Sequence, residues 1–304
     1  MPWQVKFFSL ALIWGSSYLL MKLGLEAMDG VQVAALRLVC AAGVLLPLLL
    51  VSGGRLPRGW AAWKHIVVSS TLLCSLPWTL FAVGEERVTS SITGIANATT
   101  PIAAVLFGML MLRSETVGPR QLGGVAVGFA GVALISQPWS LTQGPDPVGL
   151  TMVLIASASY GLGWTYVRRF MSGIDAGGLA LPTAQIVVAT AQMPVVVVIW
   201  WLVSGEGGAT PVSLHTGESA LVPISAVVFL GIVGTGLGQV MQYDVVRAAG
   251  ATVASSVAFV IPVVAVALGY VVLGETVGWL ALAGGGLILY AASVVTRRHP
   301  VASS

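Results

Sequence analysis

Ser90-Ser91-Ile92-Thr93-Gly94, followed by Pro101-Ile102-Ala103-Ala104-Val105 and Ser114-Glu115-Thr116-Val117-Gly118, returns later in the chain. The second copy reads Thr252-Val253-Ala254-Ser255-Ser256, then Pro262-Val263-Val264-Ala265-Val266, then Gly274-Glu275-Thr276-Val277-Gly278. Glu-Thr-Val-Gly recurs at an offset of 160 and the proline at 161, so one residue of slippage separates the copies. Glycine-rich stretches follow both, with Gly123, Gly124, Gly128 and Gly131 in the first and Gly284, Gly285 and Gly286 in the second. The starts of the halves also correspond: Leu12-Ile13 with Ser17-Tyr18 matches Leu154-Ile155 with Ser159-Tyr160, at an offset of 142. A long internal repeat of this kind governs the whole fold.

The residues between these motifs are apolar. Of 304 residues, 57% are hydrophobic and 8% charged, and the mean hydropathy is +0.94. A soluble domain carries roughly 25% charged residues to cover its surface. Fourteen basic and eleven acidic side chains are too few for that. A cytosolic enzyme, a secreted disulfide domain and a disordered tail are excluded, and lipid must be the solvent for most of the chain. Ten stretches fit the roughly 20 residues of a membrane helix: 7–25, 31–51, 63–83, 91–112, 121–136, 148–167, 177–203, 221–243, 251–273 and 279–296. Charges, Gly or Pro mark nearly every break, as in Gly53-Gly54-Arg55-Leu56-Pro57-Arg58 and Gln143-Gly144-Pro145-Asp146-Pro147. Barrel strands are shorter and alternate with period two, which these stretches do not.

Basic residues of cytoplasmic loops fix the direction. With the N-terminus inside, Lys6, Arg55, Arg58, Lys64, Arg113, Arg120, Arg168, Arg169, Arg247, Arg297 and Arg298 all fall on the cytoplasmic side. Only Arg87 falls outside, and Lys22 and Arg37 lie within spans. Glu26, Asp29, Glu85, Glu86, Asp146, Glu206, Glu218 and Glu275 are expected in outer loops. The predicted fold is an all-α membrane protein of ten helices with both termini cytoplasmic. Residues 1–143 form the first five-helix repeat and 144–304 the second. Five is odd, so the second repeat enters from the opposite side. Such inverted repeats place a transport site near midplane, between the halves.

Other chemistries find little support. A nucleic-acid surface needs clustered Lys and Arg, and none occurs, so nucleic acid is not an expected partner. Cys40 and Cys74 lie inside apolar runs and lack the spacing of a thiolate site. His65, His215 and His299 have no second ligand three or four residues away, so no metal and no other cofactor is expected. No GxxxxGK[ST] loop or Ser–His–Asp set appears, which argues against ATP drive and catalysis. Phe7–Leu25 exceeds the apolar core of a cleaved signal peptide and is expected to remain as a span. No carboxylate is expected deep within a helix: Glu26 is at an edge, Glu115 and Glu275 at junctions, and Asp244 reads as a cytoplasmic-end pair with Arg247.

Trp14-Gly15-Ser16-Ser17-Tyr18 with Lys22, Ala34-Ala35-Leu36-Arg37, and the duplicated Pro-to-Glu stretch resemble the drug/metabolite transporter superfamily, EamA-type branch. The resemblance covers nearly the whole chain. It implies export of small metabolites, amino acids and aromatic ones in particular, from a bacterial inner membrane. Export of other metabolites or of drug-like cations is the alternative, with an integral-membrane enzyme behind it. The expected partners are a small-molecule substrate and the lipid bilayer, with the chain a monomer or a homodimer.

Charges within spans are costly and point to function. Arg37, roughly 9 Å into its span at 1.5 Å per residue, is placed to hold a carboxylate by bidentate hydrogen bonding. Lys22 is a second possible anion anchor, although its position near the helix end also lets it reach the interface. Pro101 and Pro262 are repeat-equivalent helix interruptions, hence candidate hinges. Asn97 and Thr100 flank the first, and Ser256 and Phe259 the second. Trp14 and Tyr18 share a helix face, as do Tyr160 and Trp164. With Trp78 they would form an aromatic wall. Gln239 and Gln242 share a face of the eighth span and complete the expected substrate-binding set. The glycines of the fifth and tenth helices need only explain close packing, with each other or with a second protomer.

Overall fold

The computed structural model describes residues 2–112, 118–137, 144–172, 174, 178–203, 219–249 and 257–296. Among them every regular element is helical. In chain order they are α1 (Trp3–Gly24), α2 (Gly30–Val51), α3 (Trp60–Glu85), α4 (Ser90–Met111) and α5 (Pro119–Ser136), then α6 (Pro147–Phe170), α7 (Ala180–Val203), α8 (Leu221–Ala249), α9 (Val257–Leu273) and α10 (Trp279–Thr296). Seven, α1 to α4 and α6 to α8, are long and apolar enough to cross a membrane. The described parts of α9 and α10 include shorter apolar helices. Ser256, Glu115 and the Thr252–Ser256 stretch lie outside the described residues.

Local chemistry sets the ends. Asp29 and Gln32 form a capping box at α2, with the Asp29 N–H donating to Gln32 Oε1 at 3.2 Å. Asp146 accepts from the Gly149 N–H at 2.8 Å, and Pro147 occupies the first turn of α6. Glu275 reaches from the α9–α10 connection to the start of α4, accepting the N–H and hydroxyl of both Ser90 and Ser91.

The polarity of the packed molecule is that of a protein in lipid. Phe8, Val51, Trp60, Leu110, Val203 and Trp279 point outward and are exposed, whereas Ser69, Ser70, Ser75, Ser157, Thr183 and Thr235 are buried. Several of the buried hydroxyls join helices. Ser70 Oγ donates to the Gln185 carbonyl at 2.6 Å, and Gln185 Nε2 to Ser69 Oγ at 2.9 Å. Gln192 takes Ser75 Oγ at 2.6 Å and donates to Thr71 Oγ1 at 2.9 Å. These four side chains of α3 and two of α7 therefore satisfy each other, as a bilayer demands, whereas the buried Thr183 hydroxyl of α7 has no hydrogen-bond partner among the described residues.

Helices pair across the two halves in swapped fashion: α1 with α9 and α6 with α4, α2 with α8 and α7 with α3, and α5 with α10. Glycines sit at these crossings. A Cβ on Gly131 would lie 2.7 Å from the Gly284 carbonyl, and one on Gly284 would lie 2.6 Å from the Gly131 carbonyl. The fifth and tenth helices thus pack on each other, one of the two arrangements their glycines allowed.

Two helices are interrupted by π turns, at Thr71–Ser75 in α3 and Leu230–Leu237 in α8. The first leaves one carbonyl without its ladder donor. In an i→i+5 ladder Pro77 would donate to Leu72, but proline has no N–H. Ser159 of α6 supplies the missing donor, its Oγ lying 2.8 Å from the Leu72 carbonyl. In α8 the π turn coincides with Gly231, Gly234 and Gly236, and the Trp14 indole donates to the Gly234 carbonyl at 3.1 Å. The proline interruptions differ between halves. α4 breaks at Ala98–Thr99, just before Pro101, while Pro262 lies inside α9.

Candidate functional site

Beyond its π turn, α3 carries Trp78, Phe81 and Glu85 on one face, at the three- and four-residue spacing of neighbours on a helix surface. All three are buried. The Trp78 indole donates to the Tyr160 hydroxyl of α6. The Phe81 ring lies 6.0 Å from that of Tyr18 on α1 and 5.7 Å from that of Tyr160. Arg37 of α2 covers this face, its guanidinium carbon 4.2 Å from the Trp78 ring centroid. A cation against the negative face of an indole is attracted to it, more strongly where water is excluded. Arg37 Nε donates to Thr235 Oγ1 at 2.9 Å, and one of its terminal nitrogens approaches Met21 Sδ at 3.7 Å. Thr235 belongs to the π turn of α8, so a backbone irregularity meets the one fully embedded cation of the sequence reading.

The sequence-predicted residues divide by location. Tyr18, Arg37, Trp78 and Tyr160 come together in one cluster. Asn97 faces Tyr18 from the end of the first segment of α4, and accepts the Thr100 hydroxyl at 3.1 Å. Trp14 adjoins the cluster through α8. The Lys22 ammonium is engaged by two carbonyls, Glu85 at 2.5 Å and Val88 at 3.1 Å, which close the C-terminal end of α3. Trp164, one turn beyond Tyr160, is 52% exposed and is not in the cluster. Gln239, Gln242 and Phe259 are half-buried on α8 and α9. Asp244 pairs with Lys6 of α1 at 2.5 Å.

Four participants were not anticipated: Phe81, Thr235, Met21 and Glu85. Glu85 was expected in an outer loop. Instead it is the last residue of α3, 0% exposed, with the Thr93 hydroxyl beside its carboxylate. Its spacing from Trp78 and Phe81 was the available signal. At the other end of α3 a separate groove of about 450 Å³ is lined by Arg58, Lys64, His65 and Phe170 among others. It contains none of the predicted site residues. The cluster itself offers a cation, aromatic faces and hydroxyls, which is recognition chemistry for a small amphipathic molecule.

The chain is similar to known proteins over most of its length. A sequence profile of the EamA-like transporter family matches residues 1–137 and 147–297. The inner membrane transporter YedA of Escherichia coli K12 is 29% identical over 298 residues, covering 95% of this chain and 89% of that one. Protein PecM of Dickeya dadantii is 25% identical over 289 residues, covering 93% and 88%. A solved crystal structure of 19% identity superposes with a TM-score of 0.60, covering 97% of this chain and 96% of the other, a likeness of fold alone. The chain is a multi-pass membrane protein and belongs to the EamA-like transporter family.

Proposed function

We propose that this protein is a secondary carrier of the bacterial inner membrane that exports small amphipathic metabolites, amino acids foremost. In this reading ten helices cross the bilayer as two inverted repeats, residues 1–143 and 144–304, with both termini cytoplasmic. The observation that supports it most is the cluster where the halves meet. There Arg37 joins Thr235 at 2.9 Å and Trp78 joins Tyr160. Each bond links one repeat to the other, so relative motion of the repeats must open or close this point. Arg37 supplies the charge for a carboxylate, and Tyr18, Trp78, Phe81 and Tyr160 supply the faces for an apolar or aromatic side chain. The swapped helix pairing supports the alternation, because each half can rock against the other around a fixed centre.

The test is counterflow in liposomes containing the purified full chain, with labelled aromatic and aliphatic amino acids offered in turn. A carrier gives saturable flux that unlabelled substrate on the far side accelerates. Flux without saturation or counterflow indicates a pore, and absence of flux for every amino acid defeats the substrate class.

A further inference from the structure

Several cations of the chain are already engaged. Lys6 pairs with Asp244, Arg87 lies 4.0 Å from Asp146, Lys22 closes the end of α3, and Arg169 donates to the Met111 carbonyl. Arg58 and Lys64 differ from these. Both are exposed, both line the groove of about 450 Å³ at the start of α3, and neither has a hydrogen-bond or ion-pair partner among the described residues. No acidic side chain is found among the described residues that line the groove. Asp175, next in the chain to the lining Ile174, lies outside the described residues.

The groove is held in shape by its own contacts. Gly59, at φ 89°, turns the chain into α3, and the Trp63 indole donates to the Pro57 carbonyl at 2.9 Å, which fixes the loop that carries Arg58. Phe170, the last residue of α6, forms a wall on which the His65 ring stacks, with centroids 5.7 Å apart and planes 10° from parallel. His65 Nδ1 lies 2.7 Å from the Tyr166 hydroxyl. When Tyr166 donates to Nδ1, the ring proton stands on Nε2, a third donor beside the two cations. Apolar side chains continue from the groove along α3. Val67 and Val68, one turn beyond Lys64, are exposed, as is Trp60 one turn before it. Trp60 and Phe170 stand where α3 begins and α6 ends, the level at which a membrane boundary holds aromatic rings. Positive charge at that level with an apolar strip below it matches a phospholipid, and basic pockets between membrane helices bind anionic headgroups.

We propose that this groove binds the phosphate of an anionic phospholipid, with Arg58 and Lys64 against its oxygens, His65 Nε2 donating to it, and an acyl chain along Val67 and Val68. Arg58, Lys64 and His65 come from the first half of the chain and Phe170 from the second, so the bound lipid spans the junction of α3 and α6 and holds their ends together. In the proposed topology the leaflet is the cytoplasmic one, and the binding itself does not depend on the transport reading. A free phosphate offers the same charge but nothing for the apolar strip, so it binds more weakly.

Native mass spectrometry of the delipidated full chain in neutral detergent counts bound lipids directly. Dioleoyl phosphatidylglycerol and dioleoyl phosphatidylcholine are titrated in parallel, so that only the headgroup differs. The first phosphatidylglycerol is expected to bind about tenfold more tightly than phosphatidylcholine. Arg58→Gln combined with Lys64→Gln should erase that preference. Arg120→Gln, which removes an exposed cation outside the groove, should leave it within about twofold of the wild type. Size-exclusion profiles show that each variant is folded, and Lys64→Gln alone, expected to lower the preference about threefold, serves if the double variant is not. Equal affinity for the two lipids in the wild type, or a preference that survives in the folded double variant, overturns the proposal. So does its loss in Arg120→Gln, which would make it a property of the overall charge. An excess of inorganic phosphate, compared with chloride of equal ionic strength, should leave the preference in place. Its displacement by phosphate would assign the groove to a free anion and overturn the lipid.

Discussion

The third helix of each half carries a π turn, yet the two are filled in opposite ways. In α3 the turn at Thr71–Ser75 precedes Pro77 and leads into the bulky stripe of Trp78, Phe81 and Glu85. In α8 the turn at Leu230–Leu237 is rich in glycine, and the side chains that occupy its neighbourhood, Trp14 and Arg37, come from α1 and α2. One half thus presents side chains and the other presents backbone and a hydroxyl to receive them. In the proposed two-repeat reading, one copy serves as the contacting surface and the other as the socket. π turns recur at functional sites because they free backbone groups and redirect side chains.

The socket is the easier member to break. A Cβ at Gly231 would lie 2.5 Å from Cys40 Cβ and 2.7 Å from the Arg37 carbonyl. Gly231→Val should therefore push α8 off α2, cost about 1–3 kcal/mol or more as overpacking, and abolish flux. Thermal unfolding in detergent and the transport assay both read this. On the contacting side, Trp78→Ala removes the face on which Arg37 rests and the donor to Tyr160. The apparent affinity for an aromatic substrate should weaken about tenfold, equivalent to ~1.4 kcal/mol, visible as a raised half-saturation concentration in counterflow.

A finer contrast separates support from contact. Thr235→Val deletes the Arg37 partner while keeping the shape of the side chain. It should lower stability by roughly 1 kcal/mol and reduce flux less than Trp78→Ala does. Gln192→Leu removes the amide that bridges Thr71 and Ser75 around the α3 π turn. Hydrogen bonds between membrane helices average about 0.6 kcal/mol each, so the loss of both is expected to cost roughly 1 kcal/mol. Hydrogen exchange should show it as faster exchange confined to the middle of α3.

The helices were legible because lipid imposes their length. The stretch 31–51 became Gly30–Val51, and 63–83 became Trp60–Glu85, with Gly and Pro marking the gaps. The cluster was legible in part. Arg37 stood out as an embedded charge, and Tyr18, Trp78 and Tyr160 as embedded aromatics. Glu85 did not, because Glu85-Glu86-Arg87 reads as a solvated turn. Its burial depends on α1, α4 and a connection nearly 190 residues away, seen in the Ser90–Glu275 bonds. Trp164 lies apart from the cluster and is 52% exposed. It shares a helix face with Tyr160, but a shared face need not meet the same neighbour along the whole length of a helix. The π turns were silent too, since Pro77 predicts a kink without saying which carbonyl is left over or that Ser159 will take it.

The central claim is that substrate passes through the cluster where Arg37, Trp78 and Tyr160 join the two halves. It is tested most directly by amino-acid counterflow through two tryptophan variants of the same helix. Trp60 opens α3 and is exposed, whereas Trp78 lies buried under Arg37. Trp78→Ala should raise the half-saturation concentration about tenfold, with Trp60→Ala within twofold of the wild type. Equal behaviour of the two variants would contradict the account.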